Sequence, residues 1–186
     1  MEEQTIRIGV DVGGTNTDIC AIDEKSGELM VYKLPSSLYD QSAAVVEGVQ
    51  VIAKEYGFTV YAADLWCDPE KNRLFFAEMG LSDQQVIPVK ADARALPFEK
   101  EFFDAVVSTD SYNFFGVDPD FLDEKLLPYV REGGYIYITC PGMKKDCHDN
   151  LPPELLLSWT PEQMALVHDA DYWRGIVSQS KNAEIV

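Results

Sequence analysis

Positive charge is what this sequence has least of. Lys and Arg number 15 against 32 Asp and Glu, a formal net charge of −17 over 186 residues. A chain this acidic is repelled by nucleic-acid phosphates and by anionic membrane surfaces, which leaves a small molecule or another protein as partner. Cysteine is scarce: Cys20, Cys67, Cys140 and Cys147 include no Cys-x-x-Cys pair. Only Cys147-His148 comes near a metal-ligand spacing, so no metal site is expected and reduced thiols in a cytoplasmic protein are. No apolar run approaches the length of a membrane span. The acidic Met1-Glu-Glu-Gln start is unlike a signal peptide. There is no internal repeat and no low-complexity tract.

What is present is a globular composition, 46% hydrophobic and 25% charged, sufficient for one ordinary domain with or without an appendage. Residues 58–110 organise it. Phe58-Thr-Val-Tyr-Ala-Ala-Asp64, Val86-Ile-Pro-Val-Lys-Ala-Asp92 and Phe103-Asp-Ala-Val-Val-Ser-Thr-Asp110 are short apolar runs, each ending in a polar or acidic residue. A helix-length segment separates the first two, and Asp68-Pro69 starts it with proline in the first turn. This is the pattern of parallel strands whose carboxyl ends collect polar groups at the ligand-binding edge of an open sheet. Tyr135-Ile-Tyr-Ile-Thr-Cys140 is a further strand, and Asp118-Pro119 a further helix start that buries Phe121, Leu122, Leu126 and Leu127. Pro152-Pro153-Glu154 and Thr160-Pro161-Glu162 also read as helix starts, and Tyr172-Trp173 as a packing cluster.

The first 57 residues differ in kind. Ile6, Ile8, Val10 and Val12 alternate as a strand, Gly13-Gly14-Thr15-Asn16-Thr17-Asp18 is a polar turn, and 19–22 and 28–33 read as returning strands of a β-meander. An amphipathic helix is expected over 41–56, with Asp40 as its cap and Gly57 after its end.

Residues from about 54 to 179 resemble the class I S-adenosylmethionine-dependent methyltransferases, in particular the small-molecule group like the ubiquinone-biosynthesis enzymes. Thr59-Val-Tyr-Ala-Ala-Asp64 is similar to their second strand. Lys90-Ala-Asp92-Ala-Arg-Ala-Leu-Pro-Phe98 is similar to their adenine-binding segment, and Phe102-Phe-Asp104-Ala-Val-Val-Ser108 to their fourth strand. Leu127-Pro-Tyr-Val-Arg-Glu-Gly133-Gly134-Tyr-Ile-Tyr-Ile is similar to their helix, turn and fifth strand. The resemblance implies an α/β fold, a Rossmann-like, mostly parallel sheet with helices on both faces, here preceded by the N-terminal hairpin or meander. It implies S-adenosylmethionine as cofactor. Asp64, followed by Leu65, would accept from the ribose diol, Asp92 from the adenine amino group with Ala93 leaving room for the ring, and Ser108 would line the same site. A carboxylate with two acceptor oxygens suits a vicinal diol. A turn acid or cap for the next helix is the other reading of Asp64. Thr109, Asp110, Ser111, Tyr112, Asn113 and Phe114 follow the fourth strand, where the transfer site normally lies. Asp110, Tyr112 and His148 are the catalytic candidates, with His168 a further possible base.

One part of the family pattern is missing. The glycine-rich loop after the first strand has no counterpart here, since 40–51 contains only Gly48. Upstream, Ile6-Arg-Ile-Gly-Val-Asp11-Val-Gly13-Gly14-Thr15-Asn-Thr17-Asp18, with Asp23, Gly27 and Lys33, resembles the start of the hydantoinase/oxoprolinase A family. That resemblance implies a phosphate-contacting hairpin in which Asp11, Gly13 and Gly14 approach the ligand. Glycines let backbone N–H groups come close to an anion. The chain therefore reads as a chimera, with a hydantoinase A-like hairpin and helix at 1–50 and a methyltransferase-like domain at 51–186. The expected function is a methyltransferase that acts on a small molecule as a homodimer and is impaired by the lost loop. A nucleotide- or phosphate-binding fragment, or an inactive structural chimera, are the alternatives.

Overall fold

A computed structural model describes 6–12, 16–23 and 29–35 by their backbone course, and 58–109 and 111–185. Three strands open the chain: β1 (Ile6–Val12), β2 (Asn16–Asp23) and β3 (Leu29–Pro35). They form the expected antiparallel meander, in the order β1-β2-β3, with Asp11 opposite Asp18 in the register. The predicted helix at 41–56 and the expected boundary at residues 50 and 51 lie outside the described residues.

From residue 58 the chain is α/β. β4 (Val60–Asp64) leads through helix α1 (Pro69–Glu78) into β5 (Val86–Lys90), and β4 and β5 pair in parallel with Asp64 opposite Lys90. Local chemistry sets both ends of α1. The Asp68 carboxylate accepts the Glu70 amide at 2.9 Å, and Pro69 occupies the first turn. At the other end the Gly80 amide donates to the Ala77 carbonyl at 2.9 Å, and the Leu81 amide to the Phe76 carbonyl at 3.0 Å. Gly80 stands at φ +75°, a left-handed conformation open to glycine. The turn brings Leu81 back onto Phe76, and these two with Val86 form a small core under Val60 and Ala62.

β6 (Phe103–Thr109) and β7 (Val130–Thr139) form a second parallel pair. Their register shifts between Phe103, opposite Val130, and Ala105, opposite Tyr135. Glycine makes the bulge possible. Gly133 sits at φ +75°, and a Cβ on Gly134 would lie 2.7 Å from the Asp104 carbonyl. An Arg131–Asp104 ion pair spans the same place.

The connection between β6 and β7 is tighter than a regular helix. A π-helical turn, Leu122–Leu126, runs directly into a 3-10 turn, Leu127–Tyr129. Pro128 offers no N–H to continue an α-helical ladder. The apolar pattern still places Phe121, Leu122 and Leu126 in the core, with Leu127 packed against it.

Beyond β7, the two-residue strands β8 (Gly142–Met143) and β9 (His168–Asp169) pair in parallel. Residues 155–157 make only a 3-10 turn. Thr160 begins α2 (Pro161–Met164) with a full capping box to Gln163, and Asp169 caps α3 (Ala170–Val177). The chain divides into two compact units, Met1–Asp92 and Ala93–Val186. Among the described residues no helix is long and apolar enough to cross a membrane.

Candidate functional site

The carboxyl end of β4 holds the first group of residues. Asp64 Oδ1 accepts two backbone amides, Trp66 at 2.7 Å and Cys67 at 2.8 Å. The Asp64 carbonyl accepts the Ala91 amide at 3.0 Å, extending the β4–β5 ladder by one rung. The carboxylate is thus a turn acid with a set orientation, and the same strand ends carry Asp92 beside it in sequence register. Both turn bonds fall on one oxygen. Leu65 is exposed, and Trp66 retains 87% of its accessible surface. Two of the expected cofactor residues, Asp64 and Asp92, are therefore brought to one edge of one strand pair. Ala93 belongs to the other compact unit, where it packs against the core.

The carboxyl end of β6 holds the second group. Ser108 Oγ lies 3.0 Å from Ser111 Oγ, a shared hydroxyl hydrogen bond across the strand end. Asp110 lies outside the described residues, as do Gly13 and Gly14; Asp11 is a residue of β1 whose backbone pairs with Asp18. Tyr112 is a core residue. It is 1% exposed and packs edge-on against Phe115, Phe121 and Trp173. Burial, aided by Cys140, pushes its hydroxyl up to about 12, so it holds its proton and offers no base. Asn113 is also buried, whereas Phe114 is exposed. The polar appearance of 109–114 thus hides an aromatic core contact.

The histidines meet. The Gly142–His168 pairing of β8 and β9 sets the two rings 5.0 Å apart. His148 Nε2 lies 3.0 Å from the Met164 carbonyl, and Nδ1 lies 3.0 Å from Asp146 Oδ1. That carbonyl, then the carboxylate, holds His148 above the usual imidazole range, whereas burial pulls His168 below it. His168 stacks on Tyr172 with ring centroids 3.5 Å apart. The Asp146 amide donates to Asp169 Oδ2 at 3.1 Å, while Asp169 Oδ1 caps α3. Asp146 and Asp169 carry no signal as a pair in the sequence, because the bond that joins them spans 23 residues. An open cleft of about 990 Å³ adjoins this cluster, floored by Met143, Leu155, Trp159 and Val167 and rimmed by Lys144 and Lys145.

Residues 44–138, just over half the chain, match the methyltransferase domain family. The chain belongs to that family. The match takes in both parallel strand pairs of this methyltransferase domain and the acids at the end of β4. Residues 7–63 match the hydantoinase/oxoprolinase N-terminal region, so 44–63 fall within both matches. The PH0226 protein from Pyrococcus horikoshii OT3 is 21% identical, with a TM-score of 0.50 over 76% of this chain and 72% of that one. That likeness concerns the fold. Caprolactamase subunit alpha from Pseudomonas jessenii is 35% identical over 68 residues, 37% of this chain. The chain spans 10% of that curated relative's length.

Proposed function

We propose that this methyltransferase-family chain is an S-adenosylmethionine-dependent enzyme, or the weakened remnant of one, acting on a small molecule. The observation that supports this reading best is Asp64. Its carboxylate is held at a parallel strand's carboxyl end by two bonds to one oxygen, beside the segment that carries Asp92. Such an acid presents an oriented acceptor to a ribose diol without first paying to order itself. When bound, the cofactor supplies a methyl group already activated on a sulfonium. The chain's own work is then to align donor and acceptor and to exclude water. The glycine-rich loop that would let backbone amides meet the cofactor's amino-acid end is missing from the sequence, so we expect weak binding held mainly through adenosine.

Calorimetric titration with S-adenosylmethionine, S-adenosylhomocysteine and ATP tests this. The expected result is a weak, measurable affinity for the first two. Asp64→Ala should weaken it by about 1.5–3 kcal/mol, the span for a hydrogen bond to a charged group. Parent-like affinity in that variant would remove Asp64 from the site, and absent binding of both thioether ligands would remove the reading itself. The similarity of the first strands to the hydantoinase/oxoprolinase N-terminal region favours a second reading, a phosphate-binding hairpin at Asp11, Gly13 and Gly14. ATP binding abolished by Gly14→Val and indifferent to Asp64→Ala would favour it.

A further inference from the structure

The histidine cluster in the second compact unit has no part in the proposed adenosine site, and its hydrogen bonds have an unusual consequence. A backbone carbonyl only accepts, so the His148 nitrogen facing the Met164 carbonyl at 3.0 Å, Nε2, carries the proton. In the neutral ring its Nδ1 is then a lone pair that faces a carboxylate oxygen, Asp146 Oδ1, at 3.0 Å, acceptor against acceptor unless the ring takes a second proton. The His168 Nδ1 is buried without a hydrogen-bond partner, a costly state for a polar atom.

A cation resolves both at once. Imidazoles that ligate a metal through one nitrogen commonly donate the other N–H to a backbone carbonyl, which fixes the ring's orientation. Donor atoms of Asp146, His148 and His168 all lie within 4.8 Å of one another. Bonds of about 2.0–2.2 Å to a tetrahedral ion would draw them to about 3.5 Å apart, a shift of about an ångström or less. The half of the site that must hold still is held: His168 is stacked on Tyr172, and the Asp146 backbone is tied to Asp169, the cap of α3. The Asp146 side chain is exposed and can move to meet an ion.

We propose that Asp146, His148 and His168 bind a divalent transition-metal cation, Zn²⁺ or one of similar preference, with a fourth position open to water. Two imidazoles and one carboxylate are the donor set for such borderline cations rather than for Ca²⁺ or Mg²⁺. Cys147 is not needed: its thiol is turned to the Met143 sulfur at 3.6 Å.

Zn²⁺ titrated calorimetrically into the whole chain carrying Cys147→Ser tests the site. One ion should bind per chain. Asp146→Asn should weaken binding at least about tenfold and His168→Ala about a hundredfold, since loss of even an outer partner of a metal ligand costs about 10–100-fold. Asp146→Asn keeps an oxygen for the His148 amide, so its circular dichroism should match the parent even if His168→Ala disturbs the stack on Tyr172. The visible spectrum of bound Co²⁺ should show nitrogen and oxygen ligands. Affinity unchanged by Asp146→Asn, binding lost with Cys147→Ser alone, or no heat from Zn²⁺ at micromolar chain would each overturn the proposal. In the last case the cluster would be a His148–Asp146 ion pair that leaves His168 unused.

Discussion

The described parts of the two compact units each set a core beside a parallel strand pair, built from different means. Among the described residues, the core of Met1–Asp92 is Phe76, Leu81 and Val86 beside α1, while Leu65, Trp66, Leu74 and Phe75 are exposed. In Ala93–Val186 four buried residues, Tyr112, Phe121, Leu122 and Leu126, gather ten partly buried neighbours from strands, turns and α3. The acids proposed to hold adenosine sit at the β4–β5 pair. The histidine cluster lies in the second unit, at the β8–β9 pair.

The pairing order of the described strands follows a known pattern. In a doubly wound sheet of order 3-2-1-4-5-6, one central strand joins the 3-2 pair to the 4-5 pair. β4 and β5 pair as 2 and 3 do, β6 and β7 as 4 and 5 do, and each pair is a sheet of its own. Among the described residues no strand pairs with both.

The difference between the units is open to mutation. Tyr112→Ala should cost about 3–5 kcal/mol in urea unfolding, the range for an aromatic removed from a core. Val86→Ala, in the smaller core, should cost about 1.5–3 kcal/mol. Equal losses would erase the contrast. Tyr112→Phe should be neutral or slightly stabilising, because the buried hydroxyl has no hydrogen-bond partner to lose.

Gly116 sharpens the same core. A Cβ there would lie 2.0 Å from Tyr112 Cε1. Gly116→Ala should cost about 1–3 kcal/mol by overpacking. Adding Tyr112→Ala should recover part of that, a non-additivity that a double-mutant cycle would reveal. Strict additivity would mean that the two sites do not touch.

The smallest effect concerns the tail of the second unit. Asp123 accepts the Lys181 amide at 3.0 Å and the Ser180 hydroxyl, and these bonds, the amide first, hold its carboxyl below the usual carboxylate pKa. A depressed folded-state value contributes stability that is present above the unfolded value and is lost as pH falls through the folded one. Asp123→Ala should therefore leave the second unit slightly less stable at neutral pH and flatten its decline below about pH 4. An acid profile identical to the parent's would show that the tail bond is worth nothing.

Local signals were legible wherever neighbours along the chain settle the outcome. Asp68-Pro69 and Gly80-Leu81 mark both ends of α1, Thr160-Pro161 marks the start of α2, and period-two apolar runs mark the strands. The edge position of Asp64 followed from the same logic. The burial of Tyr112, a catalytic candidate by its place after a strand, was not legible, because it depends on Phe121 and Trp173, far along the chain. The aromatic pattern around Asp118-Pro119 foretold burial but not the π-helical turn, which Pro128 and the short return to β7 impose.

The sequence by itself determined the elements, the βαβ order and the two family resemblances, because helix caps, turn glycines and apolar periods act over a few residues. Only the tertiary structure decided which polar groups are core and which meet. Asp146, His148 and His168 span more than twenty positions and come together because β8 pairs with β9 and the Met164 carbonyl at the end of α2 orients the His148 ring. Such convergence is a property of packing in three dimensions, and no spacing along the chain encodes it.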